Sequence, residues 1–272
     1  MSRYHEVYSA WKDDPEAFWA EAATEISWYK PWDKVFDPFM DEYGRWFAGS
    51  ECKTAYNCLD RHVEAGRGEQ AALIYDSPIT NSKQTISYAE LRDKVASFAQ
   101  VLADQGVEKG DRVIVYMPMV PEALEAMLAC ARIGAIHSIV FAGFSPDALG
   151  ARINGCDAKL VITADTAPRG GRRTPLKANT DAALLHCSDD VRCLVVKHTG
   201  DQTTWIEGRD VDVKAMMEMV SPACRPRPVP TRSPASARIA PEGSTVRRHS
   251  RRRVKGALIS FSARARVMPV VK

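Results

Sequence analysis

Three arginines and two glycines fill five consecutive positions of this 272-residue sequence, and no other stretch concentrates as much chemistry. They are Arg169, Gly170, Gly171, Arg172 and Arg173, inside "TADTAPRGGRRTPLK" (163–177). Guanidinium groups present several donors in a planar fork that matches phosphate, and glycine leaves the backbone free to turn or approach a ligand closely. A solvated, mobile loop accounts for the same composition, so the residues alone leave both readings open. A second stretch, "FAGFSPD" (141–147), keeps side chains small at Ala142 and Gly143 and opens a helix at Ser145-Pro146, whose unpaired N–H groups suit an anion. Other chemistries find no support. There is no G-x-x-x-x-G-K-[ST] loop and no G-x-G-x-x-G after a strand. His62, His186 and His198 show no metal-ligand spacing with one another or with cysteine, and His137 reads as a core or edge residue of a strand. No catalytic residue and no metal ligand is assigned.

The elements that must position these loops follow from periodicity. "TISYAELRDKVASFAQVLADQG" sets Ser87 three residues ahead of Glu90, a capping box, and then spaces apolar residues as a helix does up to Gly106. Strands are predicted at "AALIY" (71–75), "RVIVYM" (112–117), "HSIVFA" (137–142), "KLVITA" (159–164) and "RCLVVKH" (192–198). Helices are predicted at 121–134, at 145–155 and in "TDAALLH". Apolar strands alternating with helices of this length predict an α/β fold of parallel β-α-β units, with both sheet faces covered. Ligands in such a sheet gather beyond the carboxyl ends of the strands, and both candidate loops leave strands there.

Composition bounds the rest. At 45% hydrophobic and 26% charged residues the chain reads as a soluble protein, and no run approaches the ~20 apolar residues of a membrane span. Seven scattered cysteines without a C-x-x-C pair predict reduced thiols and a cytoplasmic setting, Cys130 being read as a small buried apolar residue. The first residues lack the apolar core of a signal peptide. Residues 1–56, rich in tryptophan and acidic groups, read as an arm docked on a larger body at 57–220, with Asp14 and Pro15 opening a helix. The net charge of +3 hides a split: residues 221–272 hold 13 Lys and Arg against a single acid, Glu242.

Taken together, "FWAEAATEISWYKPWDKVFD", "RWFAGSECKTAYNCLDRHVEAGRGEQAALIYDSP", "GVEKGDRVIVYMPMVPEALEAMLACARIGAIHSIVFAGFSPDALGARI" and "RGGRRTPLKANTDAAL" closely resemble the acetyl-CoA and propionyl-CoA synthetases. These are AMP-forming short-chain acyl-CoA ligases of the adenylate-forming superfamily, and the resemblance runs from about residue 4 to about residue 220. It implies an incomplete N-terminal domain of the ligase fold. It further implies ATP, Mg²⁺, CoA and acetate or propionate as the parent enzymes' small-molecule partners, without choosing between the two acids. The R-x-G-R loop, here Arg169, Gly170, Gly171 and Arg172, is thereby assigned to the phosphates of the CoA nucleotide. The loop usually written F-G-G-F, here Phe141, Ala142, Gly143 and Phe144, is assigned to its adenosine, with one methyl added at Ala142.

Past Val220 the resemblance implies a Ser/Thr/Gly-rich ATP phosphate loop similar to "YTSGTTGKPKG". This sequence reads "SPACRPRPVPTRSPASARIAPEGSTVRRHSRRRVKG", in which only "GST" echoes it. Arg, Pro, Ala and Ser dominate, as in GC-rich DNA translated out of frame, and such a composition predicts disorder. The expectation is therefore a frameshifted, truncated and catalytically incompetent ligase. Two alternatives stand beside it: a CoA-binding regulatory fragment, and a binder of nucleic acid or an acidic partner through the basic tail. Nucleic acid is the weaker expectation, because the tail lacks aromatics interleaved for base stacking.

Overall fold

A computed structural model describes residues 3–220 and the two-residue strand 229–230. They fall within one compact unit, Met1–Ala240; a second, Pro241–Lys272, lies outside the described residues, as does most of the basic segment expected to be out of frame.

Asp14 and Pro15 do what their types predict. Helix α1 (Arg3–Asp13) ends, and α2 (Pro15–Ala23) starts with the Asp14 carboxylate accepting from Ala17 N at 2.9 Å. Four short strands follow, β1 (Trp28–Lys30), β2 (Lys34–Asp37), β3 (Arg45–Ala48) and β4 (Glu51–Cys52). Strands β2 and β3 pair antiparallel, and the tryptophans seen in the sequence close a ring cluster of Trp28, Trp32 and Phe47 with centroids 5.2–5.3 Å apart. Asn57 ties this arm down. Its Oδ1 accepts from Ser27 N at 2.8 Å and its Nδ2 donates to Ser27 O at 3.0 Å, from a π-helical turn over Tyr56–Asp60 that periodicity did not announce. One residue pair locks that turn to the body: Arg132 donates to both oxygens of Asp60, at 2.8 and 2.9 Å, with both side chains buried.

The apolar run at 71–75 does become a strand, β5 (Ala71–Ser77), but it does not join a parallel sheet. It pairs antiparallel with β6 (Ser82–Ser87) as a hairpin, whose alternation of half-buried and exposed residues suits a sheet covered on one side. Helix α3 (Tyr88–Asp104) then begins with the expected reciprocal box: Glu90 N donates to Ser87 Oγ at 3.2 Å and Ser87 N to Glu90 Oε2 at 2.8 Å.

The remaining elements build the α/β body: β7 (Arg112–Met117), α4 (Pro121–Ile133), β8 (Ile136–Phe141), α5 (Pro146–Gly155), β9 (Leu160–Ala164), a hairpin of β10 (Ala167–Arg169) and β11 (Arg172–Thr174), α6 (Leu176–Leu184), β12 (Arg192–Val196), β13 (Asp210–Asp212) and α7 (Val213–Met219). A two-residue strand, β14 (Val229–Pro230), pairs with β4. Five strands form one wholly parallel sheet in the order β13-β12-β9-β7-β8. Helices α3, α4 and α7 pack on one face, around Val95, Phe98, Val113, Val115 and Leu194; α5 and α6 cover the other, around Ile114, Leu149, Ile153, Leu176 and Val195. Alternate residues of β7 thus feed opposite cores, which is why the strand is apolar throughout. Counted along the chain, the five strands run 2-1-3-4-5, so the chain reverses direction at β7 and leaves a crevice between the carboxyl ends of β7 and β9.

Candidate coenzyme site at the carboxyl rim

The "RGGRR" stretch is not the irregular loop expected. It is the two-residue turn of the β10–β11 hairpin, with Arg169 opposite Arg172 and Pro168 opposite Arg173. Gly170 and Gly171 have φ of +55° and +74°, the pair of positive angles that a tight hairpin turn requires and that side-chain-bearing residues resist. The backbone turn therefore sets the arginines at one tip. Gly170 through Arg173 are exposed. Among the described residues Arg172 makes no hydrogen bond or ion pair, whereas Arg173 is held by Asp201 at 2.5 Å. Beside the tip lies a depression of about 590 Å³ lined by Pro168, Gly170, Gly171, Arg172, Arg173, Ile79, Thr80, His198 and Thr199. Its lining includes two arginines and two glycines, chemistry that a phosphorylated ligand fits.

What fixes the hairpin is Asp165, a residue that nothing in the sequence singled out. Buried at the end of β9, its Oδ1 accepts from Thr166 N (2.7 Å), His198 N (3.0 Å) and Thr199 N (3.1 Å), and its Oδ2 from Thr199 N (2.9 Å) and Gly200 N (2.7 Å). One carboxylate thus gathers the loop after β12 against the loop after β9. Thr166 Oγ1 donates to Asp201 Oδ2 at 2.8 Å, and with Arg173 on the other oxygen these bonds hold the Asp201 carboxyl below its usual range. On the far side of the hairpin, α6 is pinned by a fully buried Lys177, whose Nζ reaches Asp181 Oδ1 (2.7 Å), Asp210 Oδ2 (2.8 Å) and Thr204 O (3.0 Å). Arg209 completes the set with Asp181 and Asp210. Burial raises the Asp210 carboxyl, but bonds from Arg209 and Lys177 outweigh it and leave the group below the usual range.

The other predicted loop stands at the same rim. Phe141 ends β8, which is two strand positions from β9, or about 10 Å at ordinary sheet spacing. Phe141 is half exposed, Gly143 is exposed, and the Phe144 ring carries the Arg152 guanidinium at 4.9 Å. A Cβ on Gly143 would meet the Phe141 ring at 2.6 Å, so a side chain there would push that ring aside. Tyr116 ties this second loop to α6. Its phenol, buried within β7, donates to Phe144 O at 2.9 Å and accepts from Asn179 Nδ2 of α6 at 3.3 Å; burial raises its pKa, opposed by Asn179. The sheet order therefore sets both loops at the carboxyl ends of strands of one parallel sheet, the second held to α6 by Tyr116 and Asn179 and the start of the first held to the loop after β12 by Asp165. Among the described residues no group of three His, Cys, Asp or Glu could hold a metal ion, and no helix is long and apolar enough to cross a membrane. Cys130 and Cys193 are fully buried, which pushes each thiol up to about 12.

Comparison with known proteins gives this geometry its setting. Residues 4–58 match the family model described as acetyl-coenzyme A synthetase N-terminus, and residues 59–239 match that of AMP-binding enzymes. The acetyl-coenzyme A synthetase of Rhodobacter capsulatus is 56% identical over 238 residues, covering 86% of this chain and 36% of its own length. That of Syntrophobacter fumaroxidans is 47% identical over 233 residues, with 85% and 36% covered. In fold, the chain resembles the acetoacetyl-CoA synthetase of Streptomyces lividans, with a TM-score of 0.69 at 24% identity over 81% of this chain and 34% of that one. The chain spans about 36% of the length of the curated relatives it matches. With an N-terminal stretch that matches the acetyl-coenzyme A synthetase N-terminus model and the parallel sheet just described after it, the chain belongs to the AMP-binding enzyme family and is similar to the N-terminal portion of acetyl-CoA synthetases.

Proposed function

We propose that this chain carries the coenzyme-A-gripping part of a short-chain acyl-CoA ligase and does not itself activate the acid. In the parent reaction a carboxylate and ATP give an acyl-adenylate and pyrophosphate; the CoA sulfur then attacks the acyl carbon and AMP leaves. Arg169, Gly170, Gly171 and Arg172 take the phosphates of the CoA nucleotide, and Phe141 and Gly143 its adenosine. The observation that carries the reading is the exposed Arg172 guanidinium, without a described partner, at a glycine-turned tip beside a depression of about 590 Å³. An unpaired guanidinium needs no internal bond broken before it binds a phosphate, unlike Arg173. Free thiols at Cys52, Cys58 and Cys156 accord with a reduced, cytoplasmic setting.

For the nucleotide-activating half, the Ser/Thr/Gly-rich phosphate loop that the resemblance implies past Val220 is echoed only by "GST", which lies outside the described residues. Among the described residues no cluster of His, Cys, Asp or Glu is suited to hold Mg²⁺. Charge stabilisation at the transferring phosphoryl group is commonly the largest catalytic contribution, so a chain without that site is expected to make no acyl-adenylate. Two measurements test the reading. Calorimetry should give heat with CoA that falls at least tenfold in affinity for Arg172→Ala, and equal affinities would remove the hairpin from the site. Pyrophosphate exchange into ATP with acetate or propionate should stay at background; exchange above it would show that the chain activates acids after all.

A further inference from the structure

We infer that Tyr116 and Asn179 are positioning residues that fix the Ala142–Phe144 loop against α6 and so set the spacing between the two halves of the coenzyme site. This rests on the coenzyme reading proposed above. It starts from a polar group in an apolar strand. Positions 113–117 of β7 are all buried, and Tyr116 alone among them carries a hydroxyl. A phenylalanine would fill the same space with no O–H to desolvate, and a buried hydroxyl costs stability unless it is bonded. The bonds this one makes all lead out of the sheet. Its proton goes to Phe144 O at 2.9 Å, with Ala142 O beside it at 3.4 Å, and its oxygen accepts from Asn179 Nδ2 at 3.3 Å.

Both ends of that bridge bear on a ligand. On one side, Phe144 N donates to Phe141 O at 3.0 Å, which closes residues 141–144 as a turn, and Ser145 then caps α5. The phenol grips this turn by its carbonyls, while Phe141 and Gly143, the residues assigned to the adenosine, stay exposed. On the other side, α6 begins at Leu176, two residues after Thr174 ends the arginine hairpin. That helix is itself fixed, by the bonds of Lys177 and by Thr180 Oγ1, which donates to Thr163 Oγ1 of β9 at 3.2 Å. Asn179 therefore reaches from a held helix to the turn. A nucleotide extending from Arg172 to Phe141 would span the hairpin that leads into α6 and the turn that the phenol ties to α6.

The test uses the full 272-residue chain with Tyr116→Phe, which removes only the hydroxyl, and Asn179→Ala, which removes its donor. Amide exchange at 142–144 should quicken at least about fivefold in Tyr116→Phe, the scale that one hydrogen bond sets, while exchange in β7 and β9 stays as it was. By calorimetry, CoA should bind at least about fivefold more weakly to Tyr116→Phe and at least about twofold more weakly to Asn179→Ala. The double variant should bind it no more weakly than Tyr116→Phe alone, because both changes act through one bridge. Should Tyr116→Phe fail to fold, Asn179→Ala, at a half-buried position, carries both measurements. A merely structural tyrosine would instead lower the urea midpoint and speed exchange throughout the sheet, with the CoA affinity of the folded chain unmoved, and that pattern overturns the inference. So do unchanged exchange at 142–144 in both variants, and losses of affinity that add in the double variant. The two ideas fail separately: an unsubstituted chain that binds no CoA refutes the coenzyme reading, while exchange at 142–144 still decides whether the phenol holds the turn. CoA bound equally by the chain and its variants refutes only the positioning.

Discussion

Replacing Asp165 by Asn tests whether one buried carboxylate organises the ligand rim. Four backbone N–H groups, those of Thr166, His198, Thr199 and Gly200, donate to its two oxygens. An amide offers one oxygen and turns an NH₂ group toward donors. In its better orientation the oxygen replaces Oδ1, which keeps Thr166, His198 and the longer bond from Thr199 but deprives Gly200 of its acceptor. A hydrogen bond to a charged group is worth about 1.5–3 kcal/mol and one to a neutral group about 0.5–1.5. One bond lost and three reduced to neutral strength give about 4.5–7.5 kcal/mol, a large share of the ~5–15 kcal/mol that holds a domain folded. Urea unfolding followed by tryptophan fluorescence reads the loss, and amide exchange at 198–200 locates it. Asp165→Ala, which removes both oxygens, should cost at least as much. A loss under about 1 kcal/mol for both variants, or unchanged exchange at 198–200, would refute the claim that this carboxylate holds the two loops together.

Other perturbations follow from the same bonds. Asp60→Ala leaves Arg132 charged and buried, and should cost about 3–5 kcal/mol by urea unfolding, whereas Asp60→Leu with Arg132→Met should recover most of it. Lys53 is buried, which lowers its ammonium from 10.5 to about 8, with Arg132 adding to the effect and Asp60 opposing it. The unfolded chain thus holds a proton that the folded one releases between about pH 8 and 10.5, so this group makes stability rise with pH across that window. Lys53→Met should raise the Tm at pH 7 and flatten that rise; an unchanged profile would show that Lys53 is not the titrating group. Gly171→Val should loosen the hairpin by about 1–2 kcal/mol through its φ of +74° alone, since no atom lies within 4 Å of the added Cβ, and Gly171→Asn should be tolerated. Cys130 and Cys193, each pushed up to about 12 by burial, should resist iodoacetamide in the folded chain and react once urea unfolds it.

How much of this was written in the sequence depends on whether the cause of a feature is local. The capping box at Ser87 and Glu90 and the start of α2 at Asp14 and Pro15 were legible because their hydrogen bonds close within three residues. Strands β7, β9 and β12 were legible because a strand buried on both faces must be apolar at nearly every position, and β8 because its Ile, Val and Phe still form an apolar run although most of the strand is exposed. β13, "DVD", escaped because Asp210 points its carboxylate at Lys177 and Arg209, so a buried edge strand carries charge where the pattern asks for an apolar residue. The run at 71–75 misled in the opposite sense: apolar content announced a strand, but the partner, "SKQTIS", is polar, and an antiparallel hairpin with one open face followed.

The candidate site divides in the same way. Gly170-Gly171 between two short polar-basic runs is itself a hairpin signal, since two adjacent residues able to hold positive φ are what a two-residue turn needs; reading the stretch as a loop weighed its charge above its backbone. Asp165 and Tyr116 were beyond reach by any local rule. Asp165 acts on residues more than thirty positions away, and Tyr116 links positions 144 and 179, so their roles exist only once the sheet order sets β7 between β8 and β9 and sets β9 beside β12. The arginines that would touch a ligand are thus local and visible, while the residues that hold them are distant and silent. Substitution of the second group should therefore loosen the rim, as amide exchange reads it, before it alters any charge that a phosphate meets.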